Sequence, residues 1–303
     1  MVFPASVTPF DEKGRVDALG VAKLIAWFQA AGCQGIVWAG TNGEGPSLSA
    51  VEKRDLMQTA TQLRDAASSP LEMILGVSTP SLDEAVWLSK QAHNAGGKAI
   101  LLMAPGYFRE ATEAGIEAWF RAVLDRSPSP VLLYNFPQRT GFTLSPELVA
   151  RLATHERVLG LKDSSGNEAN LVAYREALPG RELYVGNETL LPTALAAGWT
   201  GTISGAANVI PEWLHAVLTD PPESSAEKFA IILPLLEAIR RAAQPAMHKA
   251  LLHAWAVLPR PDVRLPLLPP DEGDVEAMRS LMQSVIGRGS YATTVSANTS
   301  RTS

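Results

Sequence analysis

The chain has 303 residues, 46% of them hydrophobic and 19% charged, enough for one large or two ordinary domains around a substantial core. A formal net charge of −5 argues against general nucleic-acid binding, which asks for a basic face, and no apolar run approaches the roughly 20 residues that cross a bilayer. One cysteine, Cys33, excludes an internal disulfide framework and reads as a buried structural thiol; the N-terminus lacks a signal-peptide pattern, so a cytoplasmic protein is expected.

Short apolar runs alternate with helical patterns along most of the chain. A predicted strand at Phe3–Val7 is followed by a helix at Asp17–Ala31, Gly35–Ala39 by Ala50–Ala66, Met73–Val77 by Leu82–Ala95, and Lys98–Met103 by Glu113–Asp125. Pro130–Tyr134 is followed by Pro146–Ala153, Val158–Lys162 by Glu168–Leu178, Glu182–Val185 by Leu190–Ala197, and Gly201–Ser204 by Pro211–Leu218. Most strands are apolar on consecutive residues, the pattern of parallel strands covered on both faces. Ser49 with Glu52 and Ser81 with Glu84 read as capping boxes, Ser145-Pro146 as a cap before a first-turn proline. Gly32, Gly96 and Gly198 follow helix ends, where a left-handed residue is needed.

Eight β-then-α units in succession predict an α/β fold of the (β/α)₈ type, a TIM barrel, over residues 1–220. A doubly wound sheet competes, but its Gly-rich turn after the first strand is missing from Thr8-Pro-Phe-Asp-Glu12. Residues 221–286 read as a C-terminal helical extension, with helices at Ser225–Ala242, Pro245–Val257 and Asp271–Ile286 and a rigid connection at Pro259–Pro270. Residues 287–303, rich in Ser, Thr and Gly, are expected to be a disordered tail.

In such barrels the chemistry sits where the strands end. Of eight lysines, only Lys162 closes an apolar run at that end. A partly desolvated amine there suits nucleophilic attack on a carbonyl; the same position equally suits an ion pair with Asp163 or a carboxylate on a neighbouring strand. Tyr134 ends the preceding strand, and a phenol beside a catalytic amine can shuttle protons, though a core tyrosine fits the pattern too. Thr41 and Asn42, in the Gly40-Thr-Asn-Gly-Glu44 turn, offer donors for a carboxylate, as does the forked guanidinium of Arg139. Turns of this kind and lone loop arginines also occur without such a role.

These residues coincide with a known pattern. The chain resembles the dihydrodipicolinate synthase / N-acetylneuraminate lyase family of Schiff-base-forming class I aldolases over nearly all of residues 1–286. The resemblance rests on Val7-Thr-Pro-Phe-Asp11, the Gly40–Glu44 turn, Tyr134-Asn-Phe-Pro-Gln-Arg-Thr-Gly141, Gly160-Leu-Lys-Asp-Ser-Ser-Gly166, Gly201-Thr-Ile-Ser-Gly-Ala-Ala-Asn208 and Arg264-Leu-Pro-Leu267, in that order. It implies that Lys162 forms an iminium with pyruvate and that Tyr134 moves protons through the Thr41 hydroxyl. It implies that Tyr107 completes this relay from across a subunit interface. Thr41 and Asn42 would hold the pyruvate carboxylate, Gly186 and Ile203 would line the pocket, and Arg139 would bind the carboxylate of aspartate semialdehyde. A homotetramer built as a dimer of dimers is implied, with no metal or organic cofactor.

Some positions depart from the synthases. Asn42 stands where they carry a second threonine, Gly106 where they carry an aromatic residue, and Gly186-Asn-Glu188 where they carry an acidic pair. The turn with Asn42, followed by Lys162-Asp-Ser164, is more like the 4-hydroxy-2-oxoglutarate aldolases, so cleavage of that substrate or of a 2-keto-3-deoxy sugar acid is the alternative activity. Outside catalysis, a non-catalytic oxo-acid-binding barrel would keep the carboxylate turn but need not keep the lysine or tyrosine. A metal-dependent enzyme would need converging ligands, and all five histidines fall in predicted helices or their ends.

Overall fold

The computed structural model of the chain describes residues 1–287. Apart from Gly287, the tail expected from the sequence lies outside the described residues. Eight parallel strands, β1 (Val2–Pro4), β2 (Gly35–Trp38), β3 (Glu72–Val77), β4 (Ala99–Met103), β5 (Val131–Asn135), β6 (Val158–Asp163), β7 (Glu182–Val185) and β8 (Gly201–Ser204), form one sheet with neighbours in sequence order and β8 returning to β1. The ring closes at the β1–β2 seam, where Ala5 bridges Val37, the Ser6 N–H donates to Val37 O at 3.0 Å and the Gln34 N–H donates to Val2 O at 3.1 Å. This is the TIM barrel expected from the sequence. β1 runs as a regular strand only to Pro4, although Ala5 and Ser6 still bond β8 and β2; the backbone leaves the sheet at the predicted end, where the Val7 N–H donates to the Asn208 side chain at 3.0 Å.

Helices α1 (Ala18–Ala30), α2 (Ala50–Ala66), α3 (Leu82–Asn94), α4 (Glu113–Arg126), α5 (Pro137–Thr140), α6 (Pro146–Ala153), α7 (Ala169–Ala177), α8 (Leu191–Ala196) and α9 (Pro211–Thr219) connect the strands. Helices α10 (Pro222–Arg241), α11 (Ala246–Ala254) and α12 (Glu272–Ile286) follow, with α10 packed on α9 and α12. α5 is a single turn that the sequence did not reveal; it is too short for an apolar period, although Pro137 opens it and left-handed Gly141 (φ 70°) closes it. The Ser49–Glu52 capping box is made in both directions. The one expected at Ser81 is only half made, because the Glu84 carboxylate accepts from the Thr79 hydroxyl at 3.1 Å and lies 3.8 Å from the buried Lys53 ammonium.

The strands bury both faces, which is why their sequences are largely apolar, with polar residues mostly at their ends. Outward side chains join one large cluster with the helices, while Phe3, Val37, Ile74, Leu132, Tyr184 and Ile203 belong to a separate cluster inside the ring. Its N-terminal end is plugged by ions: Lys98 bonds Glu72 at 2.7 Å and Glu182 at 3.1 Å, and the Tyr184 hydroxyl donates to Glu182. The opposite end is left for the site. Cys33 is buried, and burial pushes its thiol up to about 12, with Glu212 adding to the shift. Among the described residues no helix is long and apolar enough to cross a membrane.

His248 on α11 is fully buried and, among the described residues, neither ring nitrogen has a hydrogen-bond partner. Burial lowers its pKa from 6.5 to about 4. The native state therefore holds it neutral while the unfolded chain takes up a proton as the pH falls through 6.5. Stability is present in full above that value and is expected to drop by about 3 kcal/mol between there and the folded-state value. Urea unfolding across this interval should show the drop in the wild type, and His248→Leu should reduce it; equal pH dependence in both proteins would refute the assignment.

Candidate active site

β5 and β6 pair in register so that Tyr134 stands opposite Lys162. Both side chains point into the C-terminal end of the barrel and are nearly inaccessible, at 4% and 5% exposure. The Lys162 ammonium sits over the Tyr134 ring, 4.5 Å from its centroid, and among the described residues it forms no ion pair. The rival reading of Lys162 as a salt-bridge partner of Asp163 is thereby answered. Alternation along the strand puts Asp163 on the outer face, where its carboxylate accepts from Asn135 Nδ2 (2.7 Å), the Ser165 N–H (3.0 Å) and hydroxyl (2.8 Å), and Asn170 Nδ2 (3.3 Å). Asn135 in turn accepts from the Leu144 N–H at 3.0 Å. One buried Asp–Asn pair thus ties together the strand ends carrying Lys162 and Tyr134 and the loop carrying Arg139.

The column continues outward. Phe136 stacks on Tyr134 with centroids 5.8 Å apart and 28° between planes, and the Arg139 guanidinium lies 5.8 Å from the Phe136 centroid. Cation, ring, ring and cation therefore run from the barrel interior to the solvent edge. Beside this column opens a cavity of about 400 Å³, to which Thr41, Tyr134 and Arg139 contribute walls. The far wall comes from the C-terminal segment, through Gln244, Pro245, Pro266 and Leu267.

Glycines set the close approaches. At Gly186 a Cβ would lie 2.1 Å from Ser164 Oγ and 2.9 Å from Lys162 Cε, so the space of that missing methyl is taken by the Ser164 hydroxyl, with the lysine stem beside it. Gly186→Ala is expected to slow capture of a carbonyl by Lys162 on the order of 10- to 100-fold, since a displacement near 1 Å costs about that much. Adding Ser164→Ala should recover part of the loss. A trapping rate equal to wild type in the single variant would contradict this role. At Gly106 a Cβ would meet Thr140 Cα at 2.8 Å, so the β4–α4 loop rests directly on α5 where a side chain would not fit.

The remaining predicted residues fall at different distances from this centre. Ile203 lies in the barrel-interior cluster with Tyr134. Asn42 packs against Gly205, where a Cβ would lie 2.5 Å from its Nδ2 and 3.1 Å from Gln244 Oε1. Tyr107 is 78% exposed, forms an edge-to-face pair with Phe108 at 5.3 Å, and is not part of the cavity wall. Asn187 and Glu188 have structural partners: Asn187 Oδ1 accepts from the Thr189 N–H and hydroxyl, and Glu188 accepts from Ser204 Oγ at 2.6 Å and the Ala206 N–H at 3.2 Å. Sequence reasoning passed over Ser164, whose hydroxyl lies 3.5 Å from that of Tyr134. Its signal was the Lys162-Asp-Ser164 motif, read as a family likeness and not as a site residue.

Residues 1–285 match the dihydrodipicolinate synthetase family. The chain belongs to this family. It is therefore an enzyme of the pyruvate-dependent, class I aldolase type, acting on small molecules. Among curated relatives, the 4-hydroxy-tetrahydrodipicolinate synthase 1 of Streptomyces coelicolor is 37% identical over 272 residues, 87% of this chain and 86% of the relative. Among solved structures, the dihydrodipicolinate synthase of Cyanidioschyzon merolae with lysine bound is 29% identical with a TM-score of 0.86, covering 94% of this chain and 97% of that one. YagE, a prophage protein of the family from E. coli K12 in complex with pyruvate, is 27% identical with the same TM-score and the same coverages.

Proposed function

We propose that this family member is a 4-hydroxy-tetrahydrodipicolinate synthase, condensing pyruvate with aspartate semialdehyde. The observation that carries the reading is the Lys162 amine, buried with no counter-carboxylate among the described residues and facing Tyr134, which lines the cavity at the C-terminal end of the barrel. The amine attacks the keto carbon of pyruvate and, after loss of water, leaves an iminium. That iminium accepts the electron pair released when a methyl proton departs. The resulting enamine carbon adds to the aldehyde, and the acceptor's own amino group then attacks the iminium carbon, closing the ring and releasing the Lys162 amine. Tyr134 carries the protons of carbinolamine formation and dehydration, and Thr41, which shares the cavity with it, relays them. Thr41 and Asn42 hold the pyruvate carboxylate, with Gly186 and Ile203 shaping the space around the iminium. Arg139, at the outer end of the aromatic column, takes the carboxylate of the acceptor.

Tyr107 completes the relay from a neighbouring copy in a homotetramer, a role that its exposure beside Phe108 allows and that sedimentation of the purified chain can check. The enzyme would act in the cytoplasm. The test of the activity is incubation with pyruvate, reduction with borohydride and peptide mass spectrometry, followed by a screen of aldehydes. A pyruvyl adduct on Lys162 and turnover with aspartate semialdehyde are expected; an unmodified Lys162 would refute the mechanism. A second reading, cleavage of 4-hydroxy-2-oxoglutarate or a 2-keto-3-deoxy sugar acid, is favoured by Asn42 and by the Ser164 hydroxyl beside Tyr134. In that case glyoxylate or a hydroxylated aldehyde outperforms aspartate semialdehyde as acceptor.

A further inference from the structure

The turn that carries Thr41 is bounded by two non-glycine residues in the left-handed region, Ala39 and Glu44, each at φ 54°. Such residues persist only where their surroundings hold them. The turn is closed internally by the Glu44 N–H donating to Thr41 O (3.2 Å) and the Gly45 N–H to Gly40 O (3.0 Å), and Thr8 Oγ1 donates to Gly43 O at 2.6 Å. The Glu44 side chain does not reach the solvent. Its carboxylate receives the Lys249 ammonium at 2.5 Å and the Arg264 N–H at 2.8 Å, both from the segment after the barrel. Lys249 is itself 1% exposed, donates to Asp262 O at 2.7 Å and lies 4.0 Å from the Phe10 centroid, with the Arg264 guanidinium 4.6 Å from the same ring. Arg264 goes on to bond Gly14 O, Ser47 O and the Glu52 carboxylate.

We propose that Glu44 and Lys249 are positioning residues of the active site: their buried ion pair, made across the barrel and the C-terminal segment, holds the Gly40–Gly43 turn so that Thr41 faces the substrate carboxylate. Three consequences of the geometry point the same way. The pair fixes the left-handed residue that ends the turn. Glu44 is bonded through its own N–H to the carbonyl of Thr41. The segment that supplies Lys249 also supplies Gln244 and Pro266 to the cavity wall, so the turn and the opposite wall are registered by one connection.

The proposal rests on the Schiff-base reading above, and its test separates the two. The amount of pyruvate trapped on Lys162 by borohydride is measured against pyruvate concentration for the wild type, for isosteric Glu44→Gln, and for Glu44→Gln/Lys249→Met, in which neither partner is charged. Both variants leave Lys162 and Tyr134 untouched. The half-saturating pyruvate concentration is expected to rise about tenfold in each, with trapping at saturation within about threefold of wild type, as for a lost ground-state contact. A purely structural pair would lower the melting temperature and leave half-saturation unchanged; half-saturation within twofold of wild type in either folded variant overturns the proposal. If the wild type forms no adduct, the Schiff-base reading falls and this proposal falls with it.

Discussion

Lys162→Ala is expected to lower kcat/KM on the order of 10⁴-fold or more and to abolish the borohydride-stable pyruvyl adduct. A loss of that size is about 5.5 kcal/mol of transition-state stabilisation, more than hydrogen bonds or positioning at this site could supply. The amine has no substitute nearby: the neighbouring side chains are Tyr134, Ser164 and the aromatic column, none of which forms an iminium. Lys162→Arg separates nucleophilicity from charge, because a guanidinium keeps the cation over the Tyr134 ring but stays protonated. It should be as inactive as the alanine variant. Folding should survive both changes, since the ammonium forms no ion pair whose loss would strand a buried carboxylate. A Lys162→Ala enzyme within tenfold of wild type, folded and free of wild-type contamination, would remove the lysine from the mechanism.

Much of this centre was legible because parallel barrel strands are apolar on both faces, so any polar residue inside or closing a run needs a reason. Lys162, Tyr134 and the Gly40–Glu44 turn were found in that way. Alternation could also have placed Asp163 outside and Lys162 inside, but only the structure names Asn135, Ser165 and Asn170 as what Asp163 binds. Partners far apart in sequence leave no periodic trace. The Lys249–Glu44 pair spans 205 positions and the Arg264–Glu52 contact 212.

One local signal was present and unread: Lys249 interrupts the apolar stretch from Ala246 to Leu252 on a helix whose buried face includes it. A charge on such a face asks for a counter-charge, and Glu44, ending a turn between apolar strands, asks for the same. The C-terminal segment, expected as an appendage, shapes the cavity through four of its residues. His248 is the most deeply buried histidine, which its helical position alone did not reveal, because helical periodicity marks a face but not whether that face meets solvent.

Breaking the Glu44–Lys249 pair from one side is the substitution with the largest expected effect on stability. Lys249→Met keeps the stem over Phe10 but leaves the Glu44 carboxylate inside with a single backbone N–H from Arg264. An uncompensated buried charge of this kind destabilises a fold by about 3–5 kcal/mol. The ion pair itself is worth far less than that, because both charges were desolvated to make it: burial already lowers the Lys249 pKa to about 8 against the pull of Glu44. Adding Glu44→Gln to Lys249→Met is therefore expected to restore most of the lost stability, even though it removes the second charged partner. Chemical denaturation of the two single variants, the double variant and the wild type gives the coupling directly. If the double variant is as unstable as the sum of the singles, the residues act independently and the contact between barrel and C-terminal segment depends on packing around Phe10 instead.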